Sequence, residues 1–425
     1  MKKTVFKDPV LGEYSLTLLA NGLSVYIMEK PSFSSSYAVF GTKYGSIDTT
    51  FGINGGKEIT VPAGIAHFLE HKLFESEEGD TFARFAETGA YCNAFTSFDR
   101  TCYLFSCTKN FEANLDILLD FVQSPYFTAE TVAKEQGIIG QEIKMYEDNP
   151  GWRVLFGMLD KMYSEHPVKV DIAGTVESIA QITDKLLYDC YNAFYDPSNM
   201  YICIAGNVDT DKVLAQIEEG MKPKKSVILS KPQINEPPTV SAHYVEQSLE
   251  VAKPLFCLGY KENLKEAPTV KERVVAGLML EVLCGDCSEL YRRLVDSALI
   301  GDEFSSEYFQ GRGYSVILFE GESDHPEKVA EEIKQEISRL IAEGIDGRLL
   351  NAVKKSAYGD AIKRFDSTEG IVMDMIDCAV SGGNLFDTAE ILKDITEDDI
   401  IRRLSTLKAE LSVLSVINPK RKEKL

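Results

Sequence analysis

Histidine is scarce in this chain, with five in 425 residues, and tryptophan occurs once. Long apolar runs are missing. No stretch of 18 apolar residues occurs, which argues against a membrane-spanning helix. The opening "MKKTVFKDPVLGEYSLTLLANG" is charged, but Asp8, Pro9, Glu13 and Tyr14 interrupt any apolar core, so no signal peptide is expected. Basic residues are outnumbered, 45 Lys and Arg against 66 Asp and Glu, for a formal net charge of -21. That balance argues against nucleic acid and anionic membrane as partners. A doubled cysteine-pair motif is also lacking. Nine cysteines are scattered through apolar segments, the pattern of reduced thiols in a reducing compartment, and a cytoplasmic protein is expected. The one Cys-x-x-Cys, Cys284 and Cys287 in "VLCGDCSEL", has no second pair to complete a zinc site, so its thiols read as structural or incidental.

What is present can bury sizeable cores, with 44% hydrophobic and 10% aromatic residues over a length that calls for more than one domain. "EYSLTLLANGLSVYIMEK" reads as a hairpin turning at Asn21-Gly22. A helix is expected over 64–74, and another in "DTFARFAETG", capped by Asp80 and ended by Gly89. "AYCNAFTSFDRTCYLFSCT" reads as two strands about a polar turn at 97–100. Thr128 can cap a helix over 129–146 that "EDNPG" stops. The order is α+β, with strands grouped and then helices grouped. Proline-rich, basic "KPKKSVILSKPQINEPPTV" marks a linker. After it the pattern restarts: a strand, a long helix over 269–295, two strands, then helices to about Gly382. The expected division is a metal-bearing domain over 1–224, a linker over 225–242, and a similar domain without a metal motif over 243–425.

Two of the five histidines stand four apart in "GIAHFLEHKLF". On a helix, His67 and His71 share one face, one turn above the other. They can aim two imidazoles at one point, which suits zinc. Glu70 borders the same face. It need not bind metal, and can instead take a proton from the attacking water and pass it to a leaving amine. Two incidental histidines, or a structural four-ligand zinc site, are the bland alternatives, and no second His or Cys cluster lies nearby to complete the latter. A third ligand is needed. The helix over 129–146 offers Glu135 and Glu142, seven apart on one face, flanking Ile138 and Ile139, which imply a largely packed helix. Buried carboxylates are costly unless they meet a cation or donors. One as ligand and one as a supporting partner fits that cost, but spacing does not choose between them.

The inverted His-x-x-Glu-His, followed about seventy residues later by a Glu-x6-Glu helix, resembles the pitrilysin and insulinase family of zinc peptidases. "AGIAHFLEHKLFES", "SPYFTAETVAKEQGIIGQEIKMYEDNPGWR" and "GTVESIAQITDKLLYDCYNAFYDPSNMYICIAGNVD" are similar to its blocks. The length and phrases such as "TKYGSID" resemble a bacterial processing-protease subgroup, similar to the catalytic subunit of the mitochondrial processing peptidase. The resemblance implies two similar α+β halves forming a clamshell. It implies Zn2+ held by His67, His71 and Glu142, with Glu70 as general base and Glu135 as the accompanying catalytic glutamate. It also implies a substrate-pairing strand in "AYCNAFTS". There Asn93 and Ala94 would meet the peptide backbone, and Phe74, Phe95 and Trp152 would lie near substrate side chains.

One departure stands out. The family's second half supplies an Arg and, seven residues on, a Tyr that hold the substrate and the oxyanion. In "SELYRRLVDSALIGDEF" the matching places carry Val295 and Asp302, and a shift of two gives Arg293 but Ile300. The expectation is therefore a zinc endopeptidase subunit that acts on peptides or unfolded segments and takes the Arg/Tyr half of its site from a homologous partner chain, as a heterodimer. A non-proteolytic scaffold or maturation partner is the alternative.

Overall fold

The computed structural model describes residues 1–77, 79–262, 267–301 and 303–420. They form two compact units. The first joins Met1–Ile143, Asp171–Gln233 and Ile362–Phe386. Its seven-stranded sheet runs in the order Lys2–Asp8, Gly12–Leu18, Ser24–Glu29, Met200–Gly206, Ser36–Thr42, Thr101–Cys107, Tyr91–Thr96. Only Ser24–Glu29 and Met200–Gly206 pair in parallel. The hairpin at Asn21-Gly22 forms, with Gly22 at φ 92 and Leu18 opposite Ser24. Strands Ser36–Thr42 and Met200–Gly206 are buried at every residue. Their near-continuous apolar runs are what a strand covered on both faces requires. The helix Phe111–Val122 packs on Ser36–Thr42 and Thr101–Cys107, and the helix Thr368–Ser381 on Met200–Gly206 and Ser36–Thr42.

The second unit joins Lys144–Val170, Ile234–Ala361 and Asp387–Leu425. Its five-stranded sheet runs Tyr244–Leu249, Ser412–Pro419, Leu255–Lys261, Tyr314–Glu322, Ser305–Gly311. Again one pair, Tyr244–Leu249 with Ser412–Pro419, is parallel. Strand order and orientation thus repeat those of the last five strands of the first sheet. Phe256, Met279, Leu283, Leu290, Phe319 and Ile333 lie in its core. The α+β class with two similar halves is what the structure has.

These units divide the chain differently from the contiguous stretches 1–224, 225–242 and 243–425. The helix Pro150–Met162 packs on Ser412–Pro419 and Leu255–Lys261, so it joins the second unit, as Thr368–Ser381 joins the first. The proline-rich segment is not free either. Its Leu229–Ser230 pairs with Thr50–Ile53 in the first unit. In the second, Glu236 accepts from the backbone N–H groups of Ser164, Glu165 and His166 and pairs with the buried Lys261. The single helix expected over 269–295 is two, Val270–Cys284 and Glu289–Asp296. Gly285 leaves the helix with ψ 163, and the Ser288 side chain caps the next one at the Tyr291 N–H. Among the described residues no helix is long and apolar enough to cross a membrane.

Candidate metal centre

The motif lies on the helix Ile65–Leu73 of the first unit. Its start needs a glycine: Gly64 has φ 88, and a Cβ there would come within 2.3 Å of the Ala173 carbonyl oxygen. Ile65, Phe68, Leu69 and Leu73 are buried, each worth roughly 1.5–3 kcal/mol, and they fix the helix rotation. His67, Glu70 and His71 are carried on the remaining arc. The helix Ala129–Glu147 buries Val132, Glu135, Ile139, Gly140 and Ile143. Ile138 lies outside that face and is exposed, so the helix is packed along one stripe and not all round.

His67, His71 and Glu142 come together, with one donor atom from each within 4.8 Å of the others. The Nε2 atoms of both histidines stand 3.6 Å from the two carboxylate oxygens of Glu142. That is too long for a hydrogen bond. Two ligands about 2.0–2.1 Å from a tetrahedral centre stand roughly 3.4 Å apart, so the three residues fit a divalent cation such as zinc. Glu135, 5% exposed, does not join them. Its Oε1 lies 3.0 Å from His71 Nδ1. A carboxylate can only accept, so Nδ1 carries the proton and Nε2 keeps its lone pair towards Glu142. His67 differs: among the described residues its buried Nδ1 finds no hydrogen-bond partner.

The electrostatics separate the two histidines. Burial, helped by the neighbouring His71, pushes His67 down to about 3, so it is a neutral donor at any ordinary pH. Burial also lowers His71. The hydrogen bond it donates to Glu135 and the charges of Glu70, Glu142 and Glu135 outweigh it, and the net shift is upward. As pH falls, a second proton, on Nε2, therefore competes with metal at His71 sooner than it would at an ordinary imidazole.

Glu70 is 8% exposed, and burial pushes its carboxyl up to about 7 against the opposing pull of His71 and Thr96, with Glu142 adding to the rise. The Thr96 hydroxyl donates to Glu70 Oε2 at 3.1 Å. Thr96 was not singled out from the sequence. Strand alternation could have found it, since it shares a face with Ala94 two residues earlier. The Thr101 hydroxyl, 3.5 Å from that of Thr96, donates to the Tyr44 carbonyl.

Tyr91–Thr96 is the last strand of its sheet, paired on one side only, with Thr101–Cys107. Asn93 is exposed on it, and its Oδ1 accepts from the Ala94 N–H at 2.9 Å. Phe95 is half-buried. Phe74 differs from what the resemblance implied. It is 7% exposed, stacked on Phe82 and close to Phe121 and Tyr103, and offers a peptide almost no surface. Trp152 belongs to the second unit, half-buried and stacked on Tyr146. In that unit Val295 is 46% exposed, Ile300 is buried, and Asp302 lies outside the described residues. The Arg293 guanidinium is engaged by Glu336 at 2.9 Å, and Tyr314 is buried.

Residues 57–176 match the family described as insulinase, peptidase family M16, and residues 181–357 the one described as peptidase M16 inactive domain. A Bacillus subtilis (strain 168) protein named uncharacterized zinc protease YmfH is 43% identical over 391 residues, 90% of this chain and 91% of its own. A Rickettsia felis protein named uncharacterized zinc protease is 24% identical over 96% of this chain and 98% of its own. A crystal structure described as M16-like, from Alicyclobacillus acidocaldarius, superposes with a TM-score of 0.90 at 35% identity, over 96% of this chain and 98% of the other.

Proposed function

This chain belongs to the insulinase family, peptidase family M16, and we propose that it is a zinc-dependent endopeptidase acting on peptides or unfolded segments. The observation that carries the reading is the convergence of His67, His71 and Glu142 beside a buried, hydrogen-bonded Glu70. In this reading the first three hold the metal. When bound, zinc supplies Lewis acidity, making a coordinated water more acidic and polarising the scissile carbonyl. Glu70 takes the proton of the attacking water and returns it to the leaving nitrogen. Thr96 holds Oε2, which leaves the other carboxylate oxygen for that transfer. Glu135 keeps His71 in its metal-binding tautomer. The open edge of Tyr91–Thr96 takes the substrate as an added strand, where backbone pairing at Asn93 and Ala94 gives affinity with loose sequence preference. Nine free cysteines fit a cytoplasmic setting for this chemistry.

A partner chain is part of the proposal, on the pattern of the processing peptidases. Val295 offers no hydrogen-bond donor, and the nearby Arg293 is already engaged by Glu336. Oxyanion donors typically supply about 2.7–4 kcal/mol of transition-state stabilisation. A second copy of this chain would repeat the defect, so the donors come from a homologous chain carrying Arg and Tyr. The test is hydrolysis of an unfolded, fluorogenic peptide by the zinc-loaded full chain, alone and with homologous chains of the same cell. Hydrolysis abolished by a chelator and by Glu70→Gln supports the enzyme. Turnover that survives both overturns it. Full turnover by the chain alone removes the need for the partner and leaves the metal chemistry standing.

A further inference from the structure

The Cys-Gly-Asp-Cys stretch has no part in the chemistry above, and the structure gives it a setting. Cys284 is the last residue of the helix Val270–Cys284. The chain then turns tightly, the Ser288 N–H donating to the Gly285 carbonyl at 2.8 Å, before the helix Glu289–Asp296 begins. Cys284 and Cys287 both line one cavity of about 420 Å³ in the second unit, walled also by Tyr291, Phe304 and Val353. Cys284 is 4% exposed and sits in the wall, whereas Cys287 is exposed and stands at the rim. The two cysteines therefore border a shared space, three residues apart across a turn, one buried and the other exposed. We propose that Cys284 and Cys287 form a reversible disulfide, a modification site that closes the turn between the two helices across the rim of this cavity.

The chemistry is thiol–disulfide exchange with a low-molecular-weight disulfide such as glutathione disulfide. The Cys287 thiolate attacks one sulfur of the oxidant, a mixed disulfide forms, and one small thiol leaves. Cys284 then gives up its proton and attacks the Cys287 sulfur, expelling the second small thiol. Two protein thiols are oxidised and one small disulfide is reduced to two thiols. The order follows from the surroundings. Burial, with the charge of Glu281 and against a hydrogen bond from Ser306, pushes the Cys284 thiol up to about 12. Its place at a helix C-terminus further disfavours a thiolate. Cys287 is therefore the attacking group and Cys284 the resolving one. Oxidising disulfides owe their character to a stabilised thiolate in the reduced form. At Cys284 burial and the charge of Glu281 outweigh the Ser306 hydrogen bond that favours one, so the link persists once formed until a reducing thiol is in excess.

The test equilibrates the full chain in glutathione buffers of graded ratio, quenches in acid, denatures, alkylates with N-ethylmaleimide and digests with trypsin. The peptide 274–292 carries these two cysteines and no others. The expected result is a peptide with two alkyl groups under reducing conditions. As glutathione disulfide dominates, it converts by more than half to a form two hydrogen atoms lighter with no adduct. Cys284→Ser should trap glutathione on Cys287, and Cys287→Ser should leave Cys284 free of glutathione. Two alkylated cysteines at every ratio, or a wild-type adduct on Cys287 that never resolves, overturns the proposal. The readout needs no peptidase activity, so it stands or falls separately from the catalytic reading.

Discussion

Substituting Glu135 tests the metal centre without relying on turnover. Its Oε1 holds the His71 Nδ1 proton at 3.0 Å, and both groups are largely shielded from solvent. Partners that orient a ligating histidine typically contribute 10–100-fold in metal affinity, about 1.4–2.7 kcal/mol. Glu135→Ala removes the acceptor and should weaken zinc binding by that factor. Glu135→Gln keeps an amide oxygen in place and loses only the charge, so its cost should be smaller. Glu142→Gln removes a charged ligand and should cost more than either. The pH dependence adds a second, independent signature. In the metal-free protein Glu135 raises the proton affinity of His71, and that proton competes with metal. Without Glu135 the His71 pKa falls, and proton competition sets in at lower pH. The affinity gap between wild type and Glu135→Ala should therefore be widest above neutrality and narrow as pH falls. Competition with a chromophoric zinc chelator, from pH 8 to pH 5.5, measures all of this. Equal affinities for wild type and Glu135→Ala at pH 8, or a gap that widens on acidification, would refute the reasoning.

Glu70→Gln should retain full zinc in the same titration yet lose turnover, and loss of metal would make Glu70 a ligand. Thr96→Val removes one hydrogen bond to a carboxylate, about 1.5–3 kcal/mol, and should lower kcat roughly 10–100-fold with little change in KM; Thr96→Ser should restore most of it, and a loss that Ser does not rescue would point to packing instead. In the second unit, Lys261 donates to Glu236 and to the carbonyls of Met162, Pro237 and Thr239. Lys261→Met leaves the Glu236 carboxylate its three backbone donors but no cation, and takes a donor from three carbonyls; it should cost about 3–5 kcal/mol in urea unfolding, and a cost under 1 kcal/mol would contradict that. His166 is buried, donates from Nε2 to the Arg312 carbonyl and accepts the Val168 N–H at Nδ1, and burial pushes it down to about 4. The folded protein thus binds fewer protons at that site than the unfolded chain, so stability is present above the unfolded pKa near 6.5 and is lost as pH falls towards 4. The loss between pH 8 and pH 5 should be about 2 kcal/mol, absent in His166→Gln.

The centre was legible because its geometry is local. His67, Glu70 and His71 lie within five residues of one helix, and helical period alone puts them on one face. Glu135 and Glu142 share a face for the same reason, yet the period could not say which of them would reach the histidines. That depends on how far the second helix slides along the first, which packing decides. Local signals failed where packing was needed. "KEQGIIGQE" suggested a largely packed helix, but only Ile139 of the two isoleucines turns inward. The family resemblance put Phe74 near substrate side chains, but it packs against Phe82 and Phe121. The helices Pro150–Met162 and Thr368–Ser381 carry no mark in their own sequences of which sheet they will cover.

The similarity of the two halves bears on why one half carries a candidate metal centre and the other does not. Strands in a sheet are joined by backbone hydrogen bonds, which every residue but proline can both donate and accept whatever its side chain. The two five-strand arrangements can therefore stay alike while their side chains diverge. The helices Ala129–Glu147 and Gly347–Lys363 follow the same succession of elements in each half. Counted from the first helical residue, Val353 and Asp360 take the places of Glu135 and Glu142. The first exchange removes the group that fixes a histidine tautomer, and the second keeps only an anion. Across from them, the helix Val270–Cys284 carries no histidine at all. A site needs its ligands and their supports together, so losing the supporting glutamate and both imidazoles leaves nothing for a divalent cation to prefer. The succession of elements survives that loss: the cavity beside Cys284 and Val353 is lined from the helix Val270–Cys284, the helix Glu289–Asp296, the edge strand Ser305–Gly311 and the long helix Gly347–Lys363.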